Sequence, residues 1–527
     1  MNLASLAPLA VVLPLFGAAV TFVLLRQERA QRIVSIGVVA LTLALEVTLL
    51  ASVWGGGTVA VPIGEWVPPW GITLVVDQFS SLMLVISSSV SLAVLIYAVS
   101  QGVADGDHRD GPISVFHPSF LILIAGVSDA FLAGDLFNLY VGFEMLLTAS
   151  YVLLTLGGTT ARIRAGVTYV VVSVVSSLLF LIAIAMVYAA TGTVNMADLA
   201  VKLGHLRPGM QLLLHVMLLL GFGIKAAVFP LSFWLPDSYP TAPAPVTAVF
   251  AGLLTKVGVY AMVRTETLLF PGDQLNAPLM VVALLTMVVG ILGALAQTDI
   301  KRLLSFTLVS HIGYMVFGLA MSSVIGLAST VFYVMHHITV QTSLFLVAGL
   351  IERRAGSASI DRLGGLAKLS PLLGLLYFLP AMNLAGIPPL SGFLGKLGLI
   401  QAGVSLGTPL ALAVVVAGVA VSLLTLLALA RVWARAFWRT PDDAENPDRA
   451  LLANPHPGSM PRAMVGATAG LVALGLALTV FAGPLFSVSQ QAANDMLDRT
   501  PYITAVLGQD AAHEAAQQAA QAGVARP

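Results

Sequence analysis

The chain is a succession of long apolar runs separated by short polar segments. A helix needs about 20 largely apolar residues to cross a bilayer. The runs do not show the alternating pattern of membrane β-strands, so they predict transmembrane helices. There are fourteen predicted spans, at residues 3–25, 31–54, 76–99, 116–134, 136–157, 166–190, 211–231, 241–262, 276–297, 302–322, 325–350, 371–401, 408–430 and 463–487.

Basic residues are distributed unevenly between the loops. The loops after odd-numbered spans hold seventeen Lys and Arg residues, whereas the loops after even-numbered spans and the C-terminal tail hold five. Because cytoplasmic loops are enriched in Lys and Arg, the odd loops are predicted to be cytoplasmic. This alternation predicts an even number of spans, with both termini outside the cytoplasm of a cell-membrane protein.

Two of the apolar runs are interrupted. Residues 221–245 contain five prolines, and residues 383–398 contain Pro388-Pro389 among several glycines. Both interruptions include the tripeptide Pro-Leu-Ser, at 230–232 and 389–391. Proline cannot continue a regular helix, and broken helices in corresponding halves of a transporter indicate its transport site. The sequence therefore predicts an all-α polytopic membrane protein with two inverted repeats, each containing a broken helix.

Three lysines and one glutamate stand out inside the apolar runs: Lys225, Lys256, Lys396 and Glu144. A lysine at the centre of a bilayer costs about 2.5–3.5 kcal/mol on insertion scales, so these residues are predicted to serve proton or cation movement. No basic residue lies within four positions of Glu144, so its partner must come from another span.

Composition narrows the function further. The chain is 58% hydrophobic and 9% charged, against about a quarter charged residues in soluble domains. It has no cysteine, which excludes thiolate-ligated iron–sulfur clusters and thiol catalysis by this chain. It also has no phosphate-binding G-x-x-x-x-G-K-[ST] loop, and its net charge of zero gives no indication of a nucleic-acid partner. We expect no cofactor and no metal centre.

Several motifs together resemble one family. They are Gly223-Ile-Lys225 continuing through Pro230, Trp234 and Pro240; Lys256 in Leu-Leu-Thr-Lys-Val-Gly; Asp299-Ile-Lys301-Arg302; Ser310-His311-Ile-Gly-Tyr314; Gly386-Ile-Pro-Pro389-Leu-Ser with Lys396; and Phe143-Glu144. They are similar to the antiporter-like subunits shared by Mrp-type multisubunit Na+/H+ antiporters and the membrane arm of respiratory complex I. The resemblance runs from about residue 75 to 440, and within the family it points to the D-type subunits.

The resemblance implies a subunit that carries protons along intramembrane residues. It nominates Glu144, Lys225, Lys256, His311, His336, His337 and Lys396 for proton translocation. It pairs Glu144 with Lys225, and it implies other Mrp subunits, H+, Na+ and membrane lipid as partners. Many relatives carry a lysine where this chain has Gln341, and a glutamine side chain cannot hold a transferable proton. Any relay there must use His336, His337 or water.

Two other classes of function stay open on the sequence alone. One is a proton-pumping subunit of a complex I-like or hydrogenase-linked redox complex, and the other is an inert membrane scaffold. Under the favoured interpretation the chain is a secondary transporter subunit and not an enzyme. Four regions are predicted: 1–110 with spans 1–3, 111–265 with spans 4–8 as the first repeat, 266–440 with spans 9–13 as the second, and 441–527 with a cytoplasmic loop, the last span and an external tail.

Overall fold

The computed structural model of the protein describes residues 3–102, 115–445 and 459–521. Within these ranges the chain is almost entirely helical. The helices are α1 (Leu9–Val23), α2 (Glu28–Val53), α3 (Gln78–Gln101), α4 (Phe116–Leu132), α5 (Leu136–Thr155), α6 (Thr160–Thr191), α7 (Met196–Lys202), α8 (Pro208–Ala226), α9 (Leu235–Ser238), α10 (Ala244–Leu269), α11 (Asn276–Leu295), α12 (Ile300–Ala320), α13 (Val324–Ala355), α14 (Leu366–Leu369), α15 (Pro371–Ala385), α16 (Ser391–Leu406), α17 (Pro409–Trp438), α18 (Arg462–Val480), α19 (Ala482–Asp498), α20 (Thr500–Leu507) and α21 (Gln509–Gln521).

A small antiparallel sheet follows α2. Strand β1 (Val59–Pro62) pairs with β2 (Thr73–Val76), with Val59 opposite Val76. Asp77 then begins α3, because its carboxylate accepts a hydrogen bond from the Ser80 backbone amide. Short 3-10 turns lie at Leu3–Leu6, Ile63–Glu65, Leu203–His205, Tyr239–Thr241 and Pro441–Asp443.

The helices fit the fourteen predicted spans. In the described ranges, 12 helices are long and apolar enough to cross a membrane, and Phe116–Leu132 and Pro371–Ala385 are shorter apolar helices. The predicted span 371–401 is two helices, α15 and α16, because the chain breaks at the paired prolines. The predicted spans 211–231 and 463–487 extend past the real helix ends at Ala226 and Val480. The predicted boundary at residue 110, and most of the loop after 445, lie outside the described residues.

Burial separates central helices from peripheral ones. The most apolar 18-residue stretches of α10 and α13 are 100% buried within the chain, and the corresponding stretch of α12 is 94% buried. By contrast, the corresponding stretch of α17 is 28% buried, so most of its surface can contact lipid or partner subunits. The central helices are those that carry Lys256, His311, His336 and His337.

Two runs of helices, α4–α10 and α11–α17, have matching features. The third helix of each run, α6 or α13, is 32 residues long and ends at a left-handed glycine with φ of 73°. Each run then contains a broken helix whose first half ends at a residue with positive φ. Isolated backbone bridges join Asp135 to Asn195 in the first run and Asp299 to Ser359 in the second. These correspondences agree with the predicted internal repeat.

The segment after α18 is more structured than its polar sequence indicates. It forms α19, α20 and α21, and Arg499 between α19 and α20 fastens it to the bundle. The Arg499 guanidinium donates to the backbone oxygens of Leu268 (3.3 Å) and Ala200 (3.4 Å). The C-terminal segment therefore packs against the ends of α7 and α10.

Candidate functional site: a chain of buried lysines and histidines

The first helix break positions Lys225. Helix α8 ends at Ala226, and Ala227 adopts a left-handed conformation with φ of 58° and ψ of 46°. The indole N–H of Trp234 donates to the Ile224 backbone oxygen at 3.2 Å, which satisfies one carbonyl freed at the helix end. The prolines that follow have no amide hydrogen to continue the helix. Lys225 thus lies in the last turn of α8, 7% exposed.

Lys225 and Glu144 are joined through a serine. The Lys225 ammonium donates to the Ser177 hydroxyl oxygen at 3.1 Å. The Ser177 hydroxyl in turn donates to a carboxylate oxygen of Glu144. Three helices, α5, α6 and α8, each supply one member. The predicted pair is therefore brought together, with a hydroxyl between the two charges. The Lys225 ammonium also lies 5.0 Å from the centre of the Phe143 ring, within cation–π range.

A small cavity adjoins this relay. The cavity has a volume of about 20 Å³, which is enough for one water molecule. Its lining includes Lys225, Ser173, Ser176 and Trp234. A water here would have polar partners close to the lysine.

Lys256 lies on the fully buried helix α10. Its ammonium donates to the Ala251 backbone oxygen at 2.6 Å, and the side chain is 0% exposed. Ala251 lies in a π-helical segment, Phe250–Leu254, and such segments are frequent at functional sites. Gly258 allows the end of α8 to approach, since a Cβ at Gly258 would lie 2.6 Å from the Ala226 backbone nitrogen. The end of α8 that carries Lys225 is therefore held against α10 close to Lys256.

Helices α12 and α13 carry the three candidate histidines. His311 Nδ1 lies 2.8 Å from the Tyr333 hydroxyl, and the rings of His311 and His337 have centroids 5.3 Å apart. His336 Nδ1 lies 2.9 Å from the Ser391 hydroxyl at the start of α16. All three histidines are 0% exposed. They form one cluster around Tyr333 rather than three separate core residues.

Several polar atoms on α13 have no hydrogen-bond partner within the described part of the chain. Among the described residues, none hydrogen-bonds to either ring nitrogen of His337, to His336 Nε2 or to Gln341 Oε1. The Gln341 amide nitrogen donates to the Leu304 backbone oxygen at 2.7 Å. Buried polar groups are nearly always paired with protein or ordered water. His336 and His337 lie about one turn from Gln341 along α13, so ordered water is the partner expected for these atoms.

The second helix break holds Lys396. Its ammonium donates to the backbone oxygens of Leu384 and Ala385, each at 3.1 Å. These are the last carbonyls of α15, where a helix end favours a cation. The ammonium also lies 5.0 Å from the centre of the Tyr314 ring. Lys396 is 5% exposed, and its described contacts are with carbonyls and an aromatic ring.

The seven candidates therefore fall into four groups. Glu144 and Lys225 form a relay with Ser177. Lys256 lies close to the end of α8 that carries Lys225, and the three histidines form a cluster around Tyr333. Lys396 lies at the second break on α16, the helix whose first residue contacts His336. In the described part of the chain no hydrogen bond joins Lys225 to Lys256, or Lys256 to a histidine. Transfer along this row needs water or side-chain movement.

Sequence reasoning did not identify the partners of three buried polar groups outside this row. Arg264 forms an ion pair with Asp77, and His215 Nε2 lies 2.6 Å from Glu266 Oε1. Glu46 lies buried between α2, α3 and α4. Their partners are far apart in sequence, so local spacing gave no signal. The residues the structure describes include no group of three or more His, Cys, Asp or Glu that could hold a metal ion.

Comparison with known proteins assigns the class. Residues 133–425 match the family model described as NADH:quinone oxidoreductase/Mrp antiporter, transmembrane. These residues include all seven candidates. The chain belongs to this family.

Individual relatives narrow the assignment to the D-type subunits. The chain is 39% identical to the D-type Na(+)/H(+) antiporter subunit of Alkalihalophilus pseudofirmus over 506 residues, which covers 95% of this chain and 99% of the relative. It is 36% identical to the D-type antiporter subunit of Bacillus subtilis over 507 residues, or 95% of this chain and 98% of that one.

Two solved structures share the fold. A chain in the structure of the Mrp complex from Dietzia sp. superposes with a TM-score of 0.88 at 34% identity, covering 96% of this chain and 100% of that one. A chain of an archaeal respiratory membrane complex, the membrane-bound sulfane sulfur reductase, gives a TM-score of 0.84 at 25% identity, covering 95% and 100%. The similarity to named D-type subunits over nearly the whole chain favours the antiporter branch over the redox-linked one.

Proposed function

We propose that this chain is the D-type, proton-conducting subunit of a multisubunit Na+/H+ antiporter. It is a multi-pass membrane protein that works with other Mrp subunits in one membrane complex, as a transporter rather than an enzyme. The observation that carries the proton role is the Glu144–Ser177–Lys225 relay, in which a buried lysine and a carboxylate share one hydroxyl. Na+ is exchanged in the same complex.

The relay moves protons by changing how charge is balanced around Lys225. Burial disfavours the charged form of a lysine, and a nearby carboxylate favours it. When Glu144 is linked to Lys225 through Ser177, the ammonium is stabilised and a proton is held. When Glu144 moves away, the proton is released toward Lys256.

From Lys256 the proton continues through the histidine cluster. The unprotonated ring nitrogen of His337 accepts it through water, and His311 and His336 extend the route to Lys396. Gln341 has no transferable proton, so it takes part only by holding water with its unpaired oxygen. Lys396, held by the carbonyls at the end of α15, passes the proton to the second half-channel on the outward side.

The repeats and orientation complete the proposal. Residues 111–265 and 266–440 form the two antiporter-like repeats, preceded by the three spans of 1–110 and followed by the region 441–527. Each repeat has five crossings, an odd number, so the second begins on the opposite side of the membrane and is inverted. The excess of basic residues in odd-numbered loops supports a cell-membrane location with both termini outside the cytoplasm.

The experiment is antiport in everted membrane vesicles that contain the whole complex. Lys225→Ala and Glu144→Ala are each expected to abolish Na+-dependent proton movement while the complex assembles normally. Lys202→Ala is the matched control, since this lysine is partly exposed on α7 and pairs with Asp198 at 2.8 Å. Wild-type exchange in either relay variant would refute the proposed role.

A further inference from the structure

Glu46 is a buried carboxylate that the lysine route does not use. It lies midway along α2 and is 0% exposed. One carboxylate oxygen accepts a hydrogen bond from the Ser128 hydroxyl of α4 at 3.2 Å, and the Ser88 hydroxyl of α3 also faces the carboxylate. Among the described residues, no group hydrogen-bonds to its second oxygen, Oε2.

Among the described residues, no basic side chain forms an ion pair with Glu46, and its hydrogen-bond partners are the hydroxyls of Ser88 and Ser128. Leaving an ion unpaired in a protein interior costs several kcal/mol, even after relaxation. The carboxyl group must therefore be neutralised, either by a proton or by a bound cation.

The neighbouring atoms suit a hard monovalent cation. Hard cations take oxygen ligands, and this site offers two carboxylate oxygens and two hydroxyls from three helices. On the same helix as Ser88, the hydroxyls of Ser81, Ser87 and Ser91 are also buried and have no hydrogen-bond partner among the described residues. This surrounding differs from the lysine row, whose positive charges repel a cation.

A second polar pair, Ser35 and His117, connects the same two helices closer to their N-terminal ends. Eleven positions earlier on both α2 and α4, the Ser35 hydroxyl lies 2.8 Å from His117 Nδ1. Eleven residues of helix span roughly 16 Å. In the proposed orientation, both helices begin at the cytoplasmic side, so the Ser35–His117 pair lies between that side and Glu46. The other titratable side chain on α4, Asp129, contacts Asn138 of α5 instead.

We propose that Glu46, Ser88 and Ser128 form a site that binds either a proton or a sodium ion, but not both. The inference rests on the proposed antiport function and adds the site at which this subunit binds Na+. Competition for one carboxylate links the two ions: when Na+ arrives at protonated Glu46, the proton leaves and the cation takes its place. Charge is conserved in the exchange, since one monovalent cation replaces another.

The first test is the Na+ dependence of antiport by the assembled complex in everted vesicles. Glu46→Gln keeps the shape but loses the charge, and we expect it to raise the half-saturating Na+ concentration at least tenfold. Ser128→Ala is expected to give a smaller rise and to change the relative preference for Na+ and Li+. A loss of packing alone would not change that ion preference. Asp129→Asn, the next residue on α4, is the control and should leave both quantities unchanged.

The second test measures binding directly, by infrared difference spectroscopy of the purified complex on adding NaCl. The wild type should lose a protonated-carboxyl band, and Glu46→Gln should lack this change. An unchanged half-saturating concentration and an unchanged band in Glu46→Gln would overturn the site. If Glu46→Gln does not assemble, Ser88→Ala and Ser128→Ala decide, and wild-type Na+ affinity and ion preference in both would overturn it.

The Lys225→Ala complex separates the two proposals. It should lose antiport yet keep the Na+-induced carboxyl band, because Glu46 binds Na+ independently of the lysine relay. If Lys225→Ala retains antiport, the relay is wrong, and the infrared change in Glu46→Gln still decides the Na+ site. Loss of the Na+-induced band in Lys225→Ala would overturn the independence of the site.

Discussion

The sharpest test of the relay is to remove the hydroxyl between its two charges. Ser177→Ala deletes one oxygen and leaves Glu144 and Lys225 in place. Ser177 accepts from the Lys225 ammonium at 3.1 Å and donates to the Glu144 carboxylate. The substitution therefore breaks both links of the relay without changing either titratable group.

The size of the effect follows from those two hydrogen bonds. A hydrogen bond to a charged group contributes about 1.5–3 kcal/mol, so two contribute about 3–6 kcal/mol if nothing replaces them. Each 1.4 kcal/mol is about a factor of ten in a rate or an equilibrium constant. If nothing replaced the two hydrogen bonds, the antiport rate would fall by about 100-fold to 10,000-fold. The cavity beside Lys225 can admit one water molecule, which partly restores the link. We therefore expect a loss of about 10-fold to 100-fold in antiport rate.

The assay is Na+-induced proton movement in everted vesicles, recorded with a pH-sensitive dye, with assembly checked by gel electrophoresis of the native complex. Ser176→Ala is a matched control on the preceding residue of α6. The Ser176 hydroxyl lines the cavity beside Lys225 but donates to the Gly221 backbone oxygen at 3.1 Å, so its removal leaves both hydrogen bonds of the relay in place. Its loss should leave transport within about twofold of wild type, as expected from a hydrogen bond worth about 1 kcal/mol to folding and none to transfer.

The outcome that would refute this reasoning is a fully active Ser177→Ala complex. Wild-type rates would mean that protons reach Lys225 without Glu144, or that water alone carries the link. Equal losses in Ser177→Ala and Ser176→Ala would show a packing effect of α6 against α8, because only one of the two serines hydrogen-bonds to the charged groups.

Two predictions concern the second half of the row. Gln341→Lys, which restores the residue of many relatives, should assemble and shift the pH profile of antiport; an unchanged profile would place Gln341 off the path. Lys396→Arg should assemble but lose at least about tenfold in antiport, because arginine does not release its proton; strong retained activity in vesicles would mean that Lys396 supplies only fixed charge.

The spans and the family were predictable because their physical causes are local. A run of apolar residues has to lie in lipid whatever its neighbours are, and the alternation of basic loops limits errors in counting. The breaks at Pro230 and Pro389 were equally local, because proline stops a helix wherever it occurs. The position of unwinding was less accurate: α8 ends at Ala226, four residues before the first proline, where Ala227 turns left-handed.

The insertion cost of the buried lysines singled them out, and the family pattern paired Glu144 with Lys225, but the serine that links the two was not predicted. Ser177 lies 33 residues from Glu144 and 48 from Lys225, and nothing distinguishes it in sequence from Ser173 and Ser176 nearby. Arg264 and Asp77 are separated by 187 residues. Contacts across such distances depend on helix packing, which a single sequence does not specify. The C-terminal helices were underestimated for the same reason, since Arg499 gains its partners only on folding.

The two broken helices hold their lysines in different ways, and this difference assigns them different tasks. Lys225 faces a carboxylate through a hydroxyl, so its proton affinity changes when Glu144 moves. Lys396 is bonded to two carbonyls of α15, and within the described chain it forms no ion pair with a carboxylate. Its proton affinity can change only if the end of α15 moves relative to α16, or if water enters the break. Under the proposed mechanism, we therefore expect a side chain to control loading at the first break and the backbone to control it at the second.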